Sequence, residues 1–349
     1  MSYTNGLDKP TDYFETKTWS GASGDLNITG LDFQPDWVWI KSRNTTGADH
    51  KLVDVVRGSS KSLKSNETEA ESTDAEGIQS FNSDGYTLGD NDGNYNRVGR
   101  TYVGWNWLAS NTTASNTDGS ITSTVSANTT SGFSIVSYTG TVSAGATIGH
   151  GLGVAPSMII TKNRSLTGGA GNWVVYHKSL GNTKYVLLNL TNAEGSSSGA
   201  WNNTTPTSSV FTVGDFDSTN GDEPMIAYCF AEKKGFSKFG SYTGNGNADG
   251  TFIYTGFKPA FFLLKNTASS LFWFIHDSVR DPHNEVLKRL PPNANEAEGS
   301  GSIPIDFLSN GIKLRTTATT WNESGSKFIY MCFAENPFVT STGIPTTAR

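Results

Sequence analysis

Three stretches of this chain share one layout: PDWVWIK at 35–41, PSMIITK at 156–162 and PAFFLLK at 259–265. In each stretch a proline opens an apolar run, and a lysine closes it six residues after the proline. A short apolar run bounded in this way is typical of a central strand that is covered on both faces. The sequence therefore predicts the same strand three times.

Two further motifs recur at nearly constant distances from these stretches. Each stretch is preceded by a box of an aromatic residue, Ser or Thr, and Gly, and is followed at a distance by an apolar closing strand. The boxes are Trp19-Ser20-Gly21, Tyr138-Thr139-Gly140 and Tyr242-Thr243-Gly244, and the closing strands contain Trp105-Asn106-Trp107, Tyr228-Cys229-Phe230 and Met331-Cys332-Phe333. Self-similarity of this kind indicates repeated structural units.

The repeats divide the chain into units. The predicted segments are an attachment arm at 1–12, a first unit at 13–109, a Ser/Thr/Asn-rich linker at 110–131, a second unit at 132–233, a third unit at 234–338 and a polar tail at 339–349. A polar linker of this length gives the first unit more freedom than the other two, which follow each other directly. In tandem, such units are expected to form a stiff rod.

The composition favours strands over helices. Charged residues make up 17% of the chain, while Gly, Ser, Thr and Asn are abundant, which is typical of short strands joined by turns. No long stretch spaces its apolar residues as an amphipathic helix does. We therefore predict an all-β protein of three tandem β-sandwich domains, of jelly-roll or lectin-like type.

Charge and cysteine content exclude several classes of protein. A net charge of −6 without a basic patch argues against a nucleic-acid partner, and no apolar run is long enough for membrane insertion. Cys229 and Cys332 occupy the same position in two units, too far apart for a disulfide, so they are predicted to be free, buried thiols. Free thiols and the lack of signal-peptide features near residue 1 predict folding in a reducing cytoplasm.

No catalytic site is predicted. His177 and His276 lie on corresponding strands, but their spacing from Trp173 and Trp273 differs by one residue, which puts them on opposite faces. No nucleophile-elbow or zinc-protease motif occurs, and the acidic residues at 277–285 are interpreted as a solvated loop. The acidic run at 90–94 lacks the spacing of a calcium loop. We therefore predict no metal and no cofactor.

Aromatic residues in polar surroundings are the best candidates for binding. The pairs Trp201-Asn202 and Trp321-Asn322, together with Tyr95, are flanked by Gly, Ser, Thr and Asn. Sugar rings stack on exposed aromatic side chains, and Asn side chains bind hydroxyl groups, so these five residues are predicted to bind glycan. The alternative is that each tryptophan folds back over its own core.

Four stretches carry a family resemblance: SYTNGLDKPTDYF at 2–14, GHGLGVAP at 149–156, WVVYHKSL at 173–180 and FAENPF at 333–338. They resemble a repeated β-rich domain of tail-fibre-like virion structural proteins of marine tailed bacteriophages. The resemblance implies a virion component that is assembled in the cytoplasm of a bacterial host.

The leading hypothesis from sequence is a non-enzymatic tail fibre or tail-spike component that attaches to the host surface, with glycan as its receptor. The expected partners are further copies of the chain, as a trimer, and other virion proteins of the tail or capsid. One alternative is a capsid decoration or head-fibre protein. A second alternative, from a different class, is a polysaccharide depolymerase.

Overall fold

The structure, a computed structural model, describes residues 4 and 6–346 and consists of antiparallel β-sheets. It confirms the all-β class. Helix in the described residues is confined to the short segments α1 (Ser198–Trp201), α2 (Asp217–Asn220) and α3 (Thr319–Asn322), and to 3-10 turns at Pro10–Asp12 and Gly168–Gly171.

The strands of the first unit are β1 (Phe14–Ser20), β2 (Leu26–Ile28), β3 (Trp37–Ser42), β4 (Lys51–Asp54), β5 (Lys61–Leu63), β6 (Ser72–Thr73), β7 (Ile78–Asn82), β8 (Gly85–Leu88) and β9 (Thr101–Trp107). Those of the second are β10 (Ala114–Asn116), β11 (Ser123–Asn128), β12 (Phe133–Thr139), β13 (Thr147–Gly149), β14 (Met158–Asn163), β15 (Val174–His177), β16 (Lys184–Leu187), β17 (Gly195–Ser196), β18 (Val210–Thr212) and β19 (Pro224–Phe230). Those of the third are β20 (Ser237–Thr243), β21 (Phe252–Tyr254), β22 (Phe257–Asn266), β23 (Phe274–Asp277), β24 (Ile305–Leu308), β25 (Gly311–Leu314) and β26 (Lys327–Pro337).

Each unit has a large sheet and a small sheet. The large sheets share one strand order, which runs β1-β9-β3-β4 in the first unit, β12-β19-β14-β15 in the second and β20-β26-β22-β23 in the third. The small sheets are β2-β8-β7, β13-β18 and β21-β25-β24. The proline-to-lysine strand therefore lies between the closing strand and the next strand of each large sheet, and the predicted central position is confirmed.

Both faces of the large sheets are buried. In β3, Trp37 and Trp39 enter one hydrophobic cluster, whereas Val38 and Ile40 enter another, because successive side chains of a strand point to opposite faces. The second cluster packs the large sheet of the first unit on its small sheet. Equivalent outer clusters fill the second and third units, and they contain Cys229 and Cys332 as buried free thiols, as predicted.

The first cluster is shared by all three units. Its large aromatic members are Phe14, Trp37, Trp39, Trp105 and Trp107 of the first unit, Phe133, Trp173, Tyr228 and Phe230 of the second, and Phe236, Phe239, Phe261, Trp273 and Phe333 of the third. The Trp37 ring stacks on Tyr228 with a centroid distance of 4.4 Å, and Phe14 stacks on Phe333 at 5.0 Å. The prediction of a rod of separate modules is therefore wrong, since the large sheets surround one central core.

The predicted linker at 110–131 is also wrong. Strands β10 and β11 lie within it, and they extend the large sheet of the second unit by pairing with each other and with β12. Ile121 and Val125 enter the outer cluster of that unit. The first unit is thus held by the core and by this sheet, without the freedom that a linker would give.

The described parts of the predicted arm and tail are packed together. Leu7 is buried in the central core, and the Asp8 carboxylate accepts hydrogen bonds from the Ser341 backbone and side chain. An isolated bridge pairs Val339 with Pro345. Residues 1–3 and 5 of the arm, and 347–349 of the tail, lie outside the described residues.

A buried ionic network crosses the junction between the first and second units. Asp54 and Arg57 of the first unit form an ion pair whose side chains are fully buried. The Tyr228 hydroxyl of the second unit donates to the Asp54 carboxylate at 2.8 Å. Arg164 of the second unit pairs with Glu71 of the first at 2.8 Å. The first two units are therefore joined by charge as well as by apolar contact.

The junction between the third and first units repeats this network. Asp277 and Arg280 of the third unit form the buried pair. Trp105 of the first unit donates its indole N–H to the Asp277 carboxylate at 3.0 Å. Arg43 of the first unit pairs with Glu298 of the third at 2.9 Å. The same contacts thus recur between a different pair of units.

The junction between the second and third units has the same backbone contact but different side chains. The Glu194 amide donates to the Thr267 carbonyl at 2.8 Å, as the Glu71 amide does to Arg164 at 2.7 Å. His177 and Leu180 stand where the other junctions have an aspartate and an arginine. The His177 ring N–H donates to the Tyr330 carbonyl at 3.1 Å. The three units therefore close on one another in a ring.

The junction chemistry predicts the effect of Asp54→Ala. This change leaves Arg57 buried without its closest partner, and we expect the free energy of unfolding to fall by about 3 kcal/mol or more, measured by urea titration. The matched control is the double variant Asp54→His/Arg57→Leu, which copies the residues at 177 and 180. Its loss should be smaller, because no charge remains unpaired. A double variant less stable than the single one would contradict this account.

Candidate functional site

Trp201, the predicted glycan platform of the second unit, is a buried core residue. Trp201 ends α1, is 1% exposed and packs against Tyr176 at a ring-centroid distance of 5.8 Å. Asn202 follows in the left-handed region with φ 48°, and its amide donates to the Ser198 carbonyl at 2.7 Å, which ends the helix. Trp201 therefore covers its own core, and the expected exposed platform is absent.

The predicted residues of the third and first units are buried as well. Trp321 is 2% exposed, stacks on Phe274 at 4.3 Å and donates its N–H to the His276 ring at 3.0 Å. Tyr95 is buried and donates its hydroxyl to Asp74 at 2.9 Å. Side chains enclosed in this way cannot stack on a sugar. Their prediction as glycan contacts is therefore wrong.

Asn322 belongs to a repeated clasp that the sequence analysis missed. In each unit a buried asparagine accepts a hydrogen bond from the first amide after the box, and its NH2 group donates to backbone carbonyls of nearby loops. The asparagines are Asn96, Asn220 and Asn322, and the amides are those of Ala22, Thr141 and Asn245. The box aromatics Trp19, Tyr138 and Tyr242 donate to the carbonyl just before each asparagine. The asparagine lies ten, nine and ten residues before the middle residue of the closing strand in the three units, and this nearly constant distance was the available signal.

The histidines do not form a repeated active site. His177 is directly opposite Met158, which faces the central core, whereas His276 is opposite Phe262, which faces an outer core. The prediction that they point to opposite faces is confirmed. Burial lowers the pKa of His177 to about 4 and that of His276 to about 3. Both rings are therefore neutral near pH 7.

The repeated lysines are also structural. Lys41, Lys162 and Lys265 are buried, and each ammonium group donates to the carbonyl of the next residue. Burial lowers the pKa of each to about 8. Because the same side chain makes the same contact in every unit, it serves the fold of the unit.

An open cleft of about 600 Å³ lies where the third unit begins. Its walls include Glu232 from the segment before β20, Ser237 and Lys238 from β20, Tyr254 from β21, and Phe338, which follows β26. The Tyr254 side chain is 61% exposed at the edge of the small sheet. The cleft thus combines an exposed aromatic ring with charged and hydroxyl groups.

The exposed aromatics of β21 distinguish the third unit from the others. Phe252 and Tyr254 flank the buried Ile253, and Phe252 is 43% exposed. The equivalent buried residues are Ile28 and Ile148, which are flanked by Asn27 and Thr29 and by Thr147 and Gly149. The cleft is therefore built on a position where the three repeats differ.

The carboxylate of the cleft is held ionised. Glu232 accepts hydrogen bonds from Lys178 at 2.6 Å and Lys238 at 2.9 Å. Burial alone would raise its pKa, but these two hydrogen bonds and the lysine charges outweigh burial and lower it. An ionised Glu232 accepts hydrogen bonds but is a poor proton donor near pH 7.

Within residues 4 and 6–346, no group of three or more His, Cys, Asp or Glu side chains is arranged to hold a metal ion. No helix in that part of the chain is long and apolar enough to cross a membrane.

The fold and the cleft define an all-β protein of three repeated units with a common core. The chain belongs to the family described as Domain of unknown function (DUF7483), whose model matches residues 9–337. That single match spans all three units. No curated protein matches the chain.

Proposed function

We propose that the protein is a non-enzymatic structural component of a bacteriophage virion, a tail fibre or tail spike that attaches to glycan on the host surface. The observation that carries the proposal is the exposed ring of Tyr254 beside the polar groups of the cleft. Sugars bind in concave sites that combine an apolar platform with a few polar groups. The phage resemblance of the sequence supplies the biological setting.

Within this proposal, each unit is a β-sandwich of jelly-roll or lectin-like type that contributes one wall of a rigid body. The body would assemble as a homotrimer with other virion proteins, and its third unit would face the receptor. Imaging of the particle by cryo-electron microscopy tests the location. Density at the tail tip supports the proposal, and density on the capsid lattice favours a decoration or head-fibre protein.

The lining of the cleft also bears on the depolymerase alternative. Glycoside hydrolysis generally uses two carboxyl groups, one of them protonated. The described lining residues include one carboxylate, Glu232, whose pKa is lowered. We therefore expect incubation with host polysaccharide to release no oligosaccharide. Release that is lost in Glu232→Gln would replace this proposal with an enzyme.

Tyr254→Ala is expected to weaken adsorption of the purified protein to host cells by about tenfold or more, because a central aromatic contact is lost. The thermal midpoint should stay unchanged, since the side chain is exposed. The measurement is cell binding by flow cytometry, before and after periodate treatment of the cell-surface sugars.

The matched control is Phe252→Ala, which removes an exposed aromatic ring from the same strand outside the walls of the cleft. Its adsorption should stay near that of the unmodified protein. Equal losses in both variants, or binding that resists periodate, would contradict the assignment of the cleft as a glycan site.

A further inference from the structure

We propose that the cleft takes an anionic glycan, whose sugar rings carry carboxylate groups; this inference rests on the proposed function. The inference is based on the positive charge around the cleft. Lys234 and Lys238 line the walls, and Lys178 pairs with the lining residue Glu232. The whole chain has a net charge of −6, so this positive region contrasts with the rest of the protein.

Glu232 does not cancel the positive charge. Its carboxylate already bonds to both Lys178 and Lys238, so one negative group is shared by two ammonium groups. An ammonium group has three N–H donors. The Lys238 side chain is partly exposed, and its bond to Glu232 uses one of these donors. A carboxylate on a bound sugar would find a complementary donor there.

The apolar and polar sides of the cleft would contact different parts of the ligand. Tyr254 and Phe338 form an apolar side on which the face of a sugar ring can lie. Ser237 and Lys238 are the first two residues of β20 and form a polar side. A neutral sugar would use the apolar side and would offer no carboxylate to Lys238. A uronate sugar uses both.

Lys238 is accordingly the residue that selects for charge. Positive groups around a cleft also raise the rate at which an anionic ligand arrives, and salt screens this effect. Binding of an acidic glycan should therefore weaken as ionic strength rises, whereas binding of a neutral glycan should change little.

The test compares one polyuronate oligosaccharide with its carboxyl-reduced, neutral form by isothermal titration calorimetry on the full chain. We expect the acidic form to bind about tenfold more tightly, as a charged hydrogen bond provides. Lys238→Gln should remove most of this preference. The matched control Lys61→Gln, which removes a lysine bound to Thr73 on the first unit, should keep it.

The outcomes separate this inference from the proposed function. Equal affinity for both forms in the unmodified protein, with loss in Tyr254→Ala, would overturn the charge selection and keep the glycan site. Binding of neither form, together with periodate-resistant adsorption to cells, would overturn both. A preference that survives Lys238→Gln would overturn the assignment of that residue.

Discussion

Acid is expected to unfold this protein, with stability that decreases steeply as the pH falls below about 6.5. His50, His150, His177 and His276 are buried, and burial lowers the pKa of each below its ordinary value. Below pH 6.5 the unfolded chain therefore binds more protons than the folded chain. Each histidine contributes up to about 1.4 kcal/mol per pH unit.

The measurement is the free energy of unfolding from urea titrations at several values between pH 7.5 and pH 5. Asp36 acts in the opposite direction, because burial raises its pKa to about 6 and its protonation stabilises the folded chain. On acidification, the stability lost through four histidines exceeds the stability gained through one aspartate. His177→Gln should reduce the slope by about a quarter of the histidine contribution. Stability that is constant or rises on acidification would contradict the neutral, buried state of these rings.

Trp37→Ala is expected to lower the free energy of unfolding by about 3–5 kcal/mol. The Trp37 ring contacts Trp107 of its own unit at a centroid distance of 4.4 Å, and Tyr228 and Phe133 of the second unit at 4.4 and 5.7 Å. Its removal should therefore destabilise both units together. The measurement is urea unfolding followed by fluorescence and by circular dichroism.

The comparison for this variant is Val98→Ala, at an exposed apolar position of the same unit. That change should alter stability by less than about 0.5 kcal/mol, as is usual for surface positions. If Trp37→Ala shifted only one part of the unfolding curve, the central core would not join the units as described.

The repeated strands could be predicted from sequence because their signals are local. An apolar run closed by a lysine, as in 35–41, specifies a strand with two buried faces. The partner of each face is a tertiary property that this pattern does not contain. Trp37 and Val38 look alike as apolar residues, yet one faces a core shared by three units and the other a core within one unit. Because the sequence does not indicate that one face packs on the other units, it predicted a rod of separate domains.

The errors in the linker and the site have a related cause. Strand β11 reads Ser-Thr-Val-Ser-Ala-Asn, and its Ser and Thr residues give it the composition of a loop, although residues 124–128 pair with β12. Trp201 and Trp321 lie in polar sequence because short helical turns carry them back onto the outer cores. Tyr254 was missed because Phe252-Ile253-Tyr254 is a continuous apolar run, and such a run does not distinguish an exposed edge strand from a buried one.

The three repeated units of this chain are thus not a string of separate binding modules. Its fixed parts, which are the strands, clasps and lysines, build one body. The aromatic cleft at Tyr254 lies where the copies differ.

Calorimetry of the full chain tests whether the three units share one core. Units that share one core should unfold in a single transition, with a calorimetric enthalpy equal to the van't Hoff enthalpy. Two or three separate transitions, or a calorimetric enthalpy several times the van't Hoff value, would show that the units are independent domains and would contradict the account.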